Sequence, residues 1–205
     1  MEALDSKAAR TRRRILDVAA GEFAENGYGG ASLRRIAAAA GLQVGSLYFH
    51  FPTKDELVAA TLLDGVESAR AALEQAIDSV PEGTSPRDRL GAAISGHLEA
   101  LHASDDRAAA VVRMVETLPP HLRAAHVPHE RRFARVWQGV LETGRRAGVV
   151  RTDIDPRILR DLVIGALNST STNNPAAKKD LAAVTEAVLT LLQPSSDVAA
   201  TTSNQ

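Results

Sequence analysis

The chain has no cysteine among its 205 residues. Disulfides and thiolate metal sites are therefore excluded, and a reducing, cytoplasmic location is expected. Aromatic residues are scarce, with four Phe, two Tyr and one Trp. Sheets draw heavily on aromatic and β-branched side chains, so this scarcity, beside abundant Ala and Leu, favours helices. No apolar run approaches the roughly 20 residues of a membrane span, and no apolar segment follows the charged N-terminus, so neither a spanning helix nor a secretion signal is expected. Familiar elements of catalysis are missing as well. There is no HExxH, no glycine-rich phosphate loop and no GxSxG. His121, His126 and His129 suggest a metal cluster, but Pro119, Pro120 and Pro128 disturb any helical face they could share; surface histidines around a loop are expected instead. His97 and His102 either line a cavity or sit as ordinary core or surface residues. No catalytic residue, metal or cofactor is expected.

What is present is concentrated between Ser32 and Lys54, SLRRIAAAAGLQVGSLYFHFPTK. Ser32 is a good N-cap, since its hydroxyl accepts from the free amides of a first turn. Leu33, Ile36, Ala37 and Ala40 then fall on one helical face. Gly41 stops that helix where the backbone needs positive φ. A second short helix, from about Gln43 to Phe49, turns Val44 and Leu47 inward, with Phe49 expected to be buried beside Leu47. Ala37 gives the small side chain that two steeply crossing helices need. A helix, a Gly-containing turn and a short second helix form the unit that lays its second helix in a DNA major groove.

The flanks point the same way. Tyr48, His50 and Lys54 offer a phenol, an imidazole and an ammonium within seven residues. Thr53 and Glu56 have capping-box spacing, so the next helix begins there with its amides outward. That combination suits a run of phosphates; the plainer alternative is that Tyr48 and His50 only complete a small core. Arg10, Arg12, Arg13 and Arg14 crowd the first turns of the first helix, where cations oppose the helix dipole. An arm reaching for phosphate explains them, and a solvated charge run is the competing account. Residues 7–54 hold eight Lys/Arg against three Asp/Glu, although the whole chain has a net charge of -1; the positive field therefore lies on this unit. The expected DNA-contact set is Arg10, Arg12, Ser32, Leu33, Arg34, Gln43, Val44, Gly45, Ser46, Tyr48, His50, Thr53 and Lys54. Gln43 is the base reader of choice, because its amide can pair with adenine in a bidentate way.

Residues 10 to about 60 resemble the TetR family of bacterial transcriptional regulators. The likeness rests on Phe23-Ala24-Glu25-Asn26-Gly27-Tyr28, on Gly45-Ser46-Leu47-Tyr48-Phe49-His50-Phe51, and on Thr53-Lys54-Asp55-Glu56-Leu57. Pro52 departs from the polar or small residue more usual there, just before a cap. The resemblance implies an all-α protein with an N-terminal three-helix DNA-binding domain (1–53) and a C-terminal helical ligand-binding and dimerisation domain (54–193); the tail (194–205) has nothing to bury and is expected to be disordered. Arg113, Arg131-Arg132, Trp137, Arg145-Arg146 and Asp153-Ile154-Asp155 also resemble the branch of that family that responds to acyl-CoA, in which such arginines meet CoA phosphates.

Along the rest of the chain, about nine helices are expected. The first ends at Asn26 before Gly27, with Ile15, Ala19 and Phe23 on its core face. The fourth runs from Lys54 to about Val80. Ser85 and Pro86 open the fifth, to about Ala103; the sixth runs from Asp105 to about Leu118. Pro119-Pro120 breaks the chain before a seventh helix, His121 to Ala147, interrupted near Pro128 and stopped by Gly148. Asp155-Pro156 caps the eighth, and Asn173-Asn174-Pro175 the ninth, which ends before Pro194.

The last two helices carry more apolar surface than docking needs. Ile158, Leu162 and Gly165 form one stripe of the eighth helix; Leu159, Val163 and Ala166 or Leu167 form another. A second partner is implied, and two such helices per chain give a four-helix homodimer interface through Ile158, Leu162, Gly165, Ser169, Leu181, Val184 and Val188. A merely well-buried C-terminal hairpin is the alternative. For the effector, the expected lining is Leu98, Leu101, Val112, Arg113, Glu116, Phe133, Trp137 and Val140, around an apolar body with one polar end; a filled core anchored by Phe133 and Trp137 explains the same residues. The expected function is a dimeric repressor on a palindromic operator, released by a small, largely apolar effector such as an acyl-CoA. An architectural DNA binder without a ligand and a cytoplasmic helical enzyme are the alternatives.

Overall fold

The computed structural model of the chain describes residues 7–103, 107–115, 117–172 and 178–194. These residues form nine helices and no strand: α1 (Lys7–Gly30), α2 (Leu33–Ala39), α3 (Val44–His50), α4 (Lys54–Asp78), α5 (Pro86–Leu101), α6 (Arg107–Val115), α7 (Pro120–Arg146), α8 (Pro156–Thr172) and α9 (Leu181–Leu192). The all-α class expected from the composition is the fold observed.

Local chemistry sets most boundaries. Gly27, at φ +63°, interrupts α1 where the sequence ends it. Gly41, at φ +65°, closes α2, with Leu42 N donating to Ala37 O at 2.8 Å and Gly41 N to Ala38 O at 3.0 Å. That pair of bonds satisfies carbonyls that a helix end otherwise leaves open. Thr53 caps α4, its Oγ1 accepting from Glu56 N at 3.1 Å; Ser85 caps α5 through Asp88 N at 3.1 Å. Asp155 accepts from Arg157 N at 2.8 Å at the head of α8. The cap expected at Asn173–Pro175 lies outside the described residues; Asp180 caps the described α9 by accepting from Ala183 N at 2.9 Å.

One break expected from the sequence is absent. α7 runs continuously through Pro128 from Pro120 to Arg146. A helical proline forfeits one main-chain bond and crowds the preceding turn, but the 27-residue helix around it survives that local loss.

The helices gather into two compact units. The first holds the described residues up to Ser68 together with Leu101–Glu130; the second holds Ala69–Ala100 and the described residues from Arg131 onward. In the first, Ile15, Ala19 and Phe23 of α1 are buried with Ile36, Ala37, Leu47, Phe51 and Leu57. α6 packs on α1 in this unit and meets α4 at Gly65, where a Cβ would stand 2.5 Å from Val111 Cγ2 and 2.6 Å from the Arg107 carbonyl oxygen. Only glycine permits that approach. In the second unit, Leu73, Leu90, Ile94, Leu98, Trp137, Leu141, Leu159, Val163, Leu167, Val188, Leu189 and Leu192 form one core.

Candidate functional site

The helix-turn-helix is held by a short polar network on its α1 side. Glu22 Oε1 accepts from Ser32 N at 2.8 Å and from Arg35 Nε at 2.8 Å, while Arg35 Nη2 also donates to Gly30 O at 3.0 Å. The Arg35 guanidinium holds the Glu22 carboxyl below its usual range. α2 therefore starts at a fixed angle to α1, with Ser32 Oγ accepting from Arg35 N at 3.4 Å. α3 follows, anchored by the fully buried Leu47.

Around that anchor the expected contact residues sort by exposure. Arg34, Gly45, Ser46 and Tyr48 are exposed, and Leu33, Val44 and His50 are half-buried. Gln43 is exposed and stands at the N-cap position, yet its side chain makes no capping bond. Its amide is thus not committed to the helix end. Arg10 is exposed in the first turn of α1. The Arg12 guanidinium lies 4.8 Å from the centre of the Phe51 ring, and Arg13 Nη1 lies 3.4 Å from Asp64 Oδ1. Lys54, read from the sequence as a phosphate ligand, is half-buried. Its Nζ donates to Ala31 O at 2.8 Å and sits 4.8 Å over the Tyr28 ring, so it also pins the chain entering α2.

One expectation is overturned. Phe49 is 83% exposed, not buried beside Leu47. The reason is helical phase: two residues at about 100° each place position 49 about 200° from Leu47. The second inward aromatic is Phe51, 2% exposed, where the chain has left the helix and turned extended.

Sequence reasoning also missed a junction at the N-terminus of α4. Tyr28 Oη donates to Asp55 Oδ1 at 2.6 Å, and His121 Nε2 lies 2.8 Å from Asp55 Oδ2. One carboxylate thereby ties the end of α1 and the first turn of α7 to the first turn of α4. The Tyr28 hydroxyl, and then His121, hold the Asp55 carboxyl below its usual range, and the Tyr28 phenol is pushed up in return. Arg107, the first residue of α6, adds a parallel tie, with Nη1 3.3 Å from Asp64 Oδ2 and Nε 3.9 Å from Asp17 Oδ1. These partners are 27 to 90 residues apart, so no local pattern announces them.

The expected effector lining divides. Leu101, Val112 and Arg113 fall in the first unit, and Leu98, Phe133, Trp137 and Val140 in the second; Glu116 lies outside the described residues. Leu98, Leu101 and Trp137 are buried, the rest half-buried. Trp137 Nε1 donates to His97 Nδ1 at 3.1 Å, and His97 Nε2 lies 3.1 Å from Asn168 Oδ1. With Nδ1 accepting, the proton sits on Nε2 and points at the amide oxygen. Phe133 packs edge-on against His97, ring centres 5.2 Å apart. Burial pushes the His97 imidazole down to about 4, which keeps it neutral. Trp137 is thus a core residue with its polar atom satisfied. A cleft of about 690 Å³ in the second unit is lined by Glu74, Ile77, Asp78, Arg89, Val136 and Val140 among others. Of the seven expected residues that are described it includes Val140 alone.

The histidines read as a surface loop are corrected too. His121, His126 and His129 stand on α7, and His126 is only 3% exposed. Its Nε2, 3.7 Å from Glu130 Oε1, has no hydrogen-bond partner among the described residues, and burial lowers its imidazole to about 4. No group of three potential metal ligands occurs among the described residues.

α8 separates its two stripes. Leu159, Val163 and Leu167 are buried, whereas Ile158 and Leu162 are 56% and 58% exposed, with Gly165 and Ser169 exposed in line with them. On α9, Leu191 is exposed, Leu181 and Val184 are half-buried, and Val188 is buried.

A fixed helix-turn-helix with an open α3 face defines a DNA-binding protein of the helix-turn-helix class. Residues 15–61 match the family model for bacterial regulatory proteins of the tetR family, and residues 83–172 match the tetracyclin repressor-like C-terminal domain. The chain is 34% identical to the HTH-type transcriptional repressor KstR2 of Rhodococcus jostii (strain RHA1), across 77% of this chain and 79% of that one. It is 26% identical to the fatty acid metabolism regulator protein of Bacillus subtilis (strain 168), across 87% and 91%. The crystal structure of FadR from Bacillus subtilis in complex with stearoyl-CoA has the same fold, with a TM-score of 0.72, 24% identity and coverage of 87% and 96%. The chain belongs to the TetR family of bacterial transcriptional regulators. It is a DNA-binding regulator of transcription and not an enzyme. No described helix is long and apolar enough to cross a membrane.

Proposed function

We propose that this regulator is a cytoplasmic repressor that binds a near-palindromic operator as a homodimer and leaves it when a largely apolar effector binds. Residues 1–53 read DNA, and residues 54–193 bind the effector and the second subunit. Two α3 helices enter successive major grooves about 34–36 Å apart. Gln43 reads an adenine edge, and Tyr48, His50 and the basic start of α1 hold phosphates. An acyl-CoA is the effector class favoured by the fatty-acid relative and by the stearoyl-CoA bound to the structural one.

The observation that carries this reading is mechanical. α6 and the first part of α7, which chain order assigns to the effector region, are packed into the same unit as the reading head. They are fastened to α4 through Gly65, through Arg107 and Asp64, and through His121 and Asp55. An effector that shifts α6 or α7 must therefore move α4 or break these ties. A hundredfold release of DNA requires the effector to prefer the released state by about 2.7 kcal/mol.

The dimer rests on the exposed stripe of α8. Leu162→Glu would place like charges against each other across the two-fold axis, at a cost of several kcal/mol for the pair. Sedimentation should show loss of the dimer together with loss of operator affinity, and a variant that stays dimeric with normal affinity removes this interface. Operator binding should weaken over the same concentrations at which an acyl-CoA binds. If a panel from short to long acyl-CoA and related amphipathic compounds leaves operator affinity unchanged, an architectural DNA binder is the better reading.

A further inference from the structure

We infer that Phe49 is a specificity-determining residue of the DNA site, reading the 5-methyl group of a thymine in the major groove. The inference rests on α3 being the recognition helix. Phe49 is the most exposed of the large apolar side chains among the described residues, at 83%. It does not serve the core, which takes Leu47 and Phe51 from either side of it. On a helix, positions 45 and 46 lie four and three residues before 49 and share its face. Gly45 and Ser46 are small and exposed, and nothing lies within 4 Å of a Cβ placed on Gly45. The phenyl ring therefore rises from an otherwise low surface. His50 meets it edge to face, ring centres 5.5 Å apart and planes at 85°, which restricts the directions the ring can take.

Chemistry selects what such a ring can recognise. A phenyl group neither donates nor accepts a hydrogen bond, so it cannot read the polar edges of guanine, adenine or cytosine. The apolar feature that distinguishes one base in the major groove is the thymine methyl. Gln43 and Phe49 are six residues apart, about 9 Å of helix rise, so they address different base pairs. Gln43 supplies a polar reading of adenine at one end of α3, and Phe49 an apolar reading of thymine at the other.

The test uses an operator selected in vitro from random duplexes with the full-length protein. Each thymine of that operator is then replaced, one at a time, by deoxyuridine, which removes the methyl and keeps the pairing. For the wild type, one position in each half-site should lose about fourfold in affinity, the worth of one buried methyl. Phe49→Ala should bind the thymine operator more weakly and be indifferent to deoxyuridine at that position, with affinity for random duplex unchanged. Phe49→Leu, which keeps an apolar tip, should retain part of the methyl preference. Two results would overturn the proposal: Phe49→Ala losing the same factor on thymine and deoxyuridine operators, or on random DNA, either of which places the ring on the sugar-phosphate backbone. A wild-type protein that failed to prefer any selected duplex over random DNA would instead remove the recognition-helix reading itself. Melting of each variant, followed by circular dichroism, shows that the fold is intact, as expected for a side chain this exposed.

Discussion

The two units differ in the polar contacts inside each of them. In the first, a core around Ile15, Phe23, Ile36 and Leu47 is joined by polar, partly exposed ties between helices: Glu22 with Arg35 and Ser32, Asp55 with Tyr28 and His121, Arg107 with Asp64 and Asp17. In the second, aliphatic side chains fill one core, and the polar chain Trp137–His97–Asn168 is sealed inside it. Exposed polar ties contribute little each, because water competes for both partners, yet they are directional and can be exchanged for others. Close-packed apolar contacts contribute more and admit few alternative arrangements. Substitutions in the second unit should cost stability, and substitutions at the polar ties of the first should cost coupling between effector and DNA.

The largest expected effect is Trp137→Ala. Truncating a fully buried tryptophan costs about 3–5 kcal/mol, and here it also leaves His97 Nδ1 without its donor. The midpoint of denaturant unfolding should fall accordingly. A loss below about 1 kcal/mol would mean that the side chain borders a cavity able to collapse, which would return Trp137 to the effector lining.

Next in size is a pH effect from the same chain. The His97 imidazole is lowered to about 4 in the folded protein, against about 6.5 when unfolded. Between those values the unfolded chain binds the proton and the folded one does not. The stabilisation is therefore complete above about pH 6.5 and is lost as the pH falls. By pH 4.5 the loss from His97 should reach about 2–3 kcal/mol. His126, lowered in the same direction by burial, adds to the slope, whereas the carboxylates held low by partners act below this window. His97→Gln keeps an acceptor for Trp137 and a donor for Asn168 but cannot titrate. It should flatten the His97 share of the stability–pH curve, measured as unfolding midpoints from pH 7.5 to 4.5. An unchanged slope would assign the effect to His126.

The head was legible in the sequence because its information is local. Ser32, Gly41, Thr53 with Glu56 and Ser85 with Pro86 each sit within four residues of the bonds they determine. Phe49 departs from expectation because a two-turn helix offers too few residues to fix its phase, and an aromatic identity does not say which way it points. Pro128 departs from expectation for a similar reason: one lost bond says little about a 27-residue helix. The effector region was the least legible. Whether Phe133 and Trp137 border a cavity or fill a core depends on His97, 40 residues away, and on Asn168 beyond it. No periodicity within α7 encodes either partner.

The smallest effect on stability, and the most telling for function, is expected at Asp55. Its carboxylate is half-buried and serves two partners, Tyr28 Oη at 2.6 Å and His121 Nε2 at 2.8 Å. Asp55→Asn removes the charge but keeps the shape and the acceptor for Tyr28, so the unfolding midpoint should stay near the wild-type value. What changes is the tie to α7. If α7 transmits effector binding to α4 through His121, then Asp55→Asn and His121→Ala should each reduce the ratio of operator affinities without and with effector, by roughly twofold to thirtyfold. Their combination should do no more than either alone, since both cut the same link. Additive losses would mean that Asp55 and His121 act on the head independently. An unchanged ratio in both variants would leave Arg107 and the Gly65 contact of α6 as the route, and the same assay on Arg107→Ala would then report it.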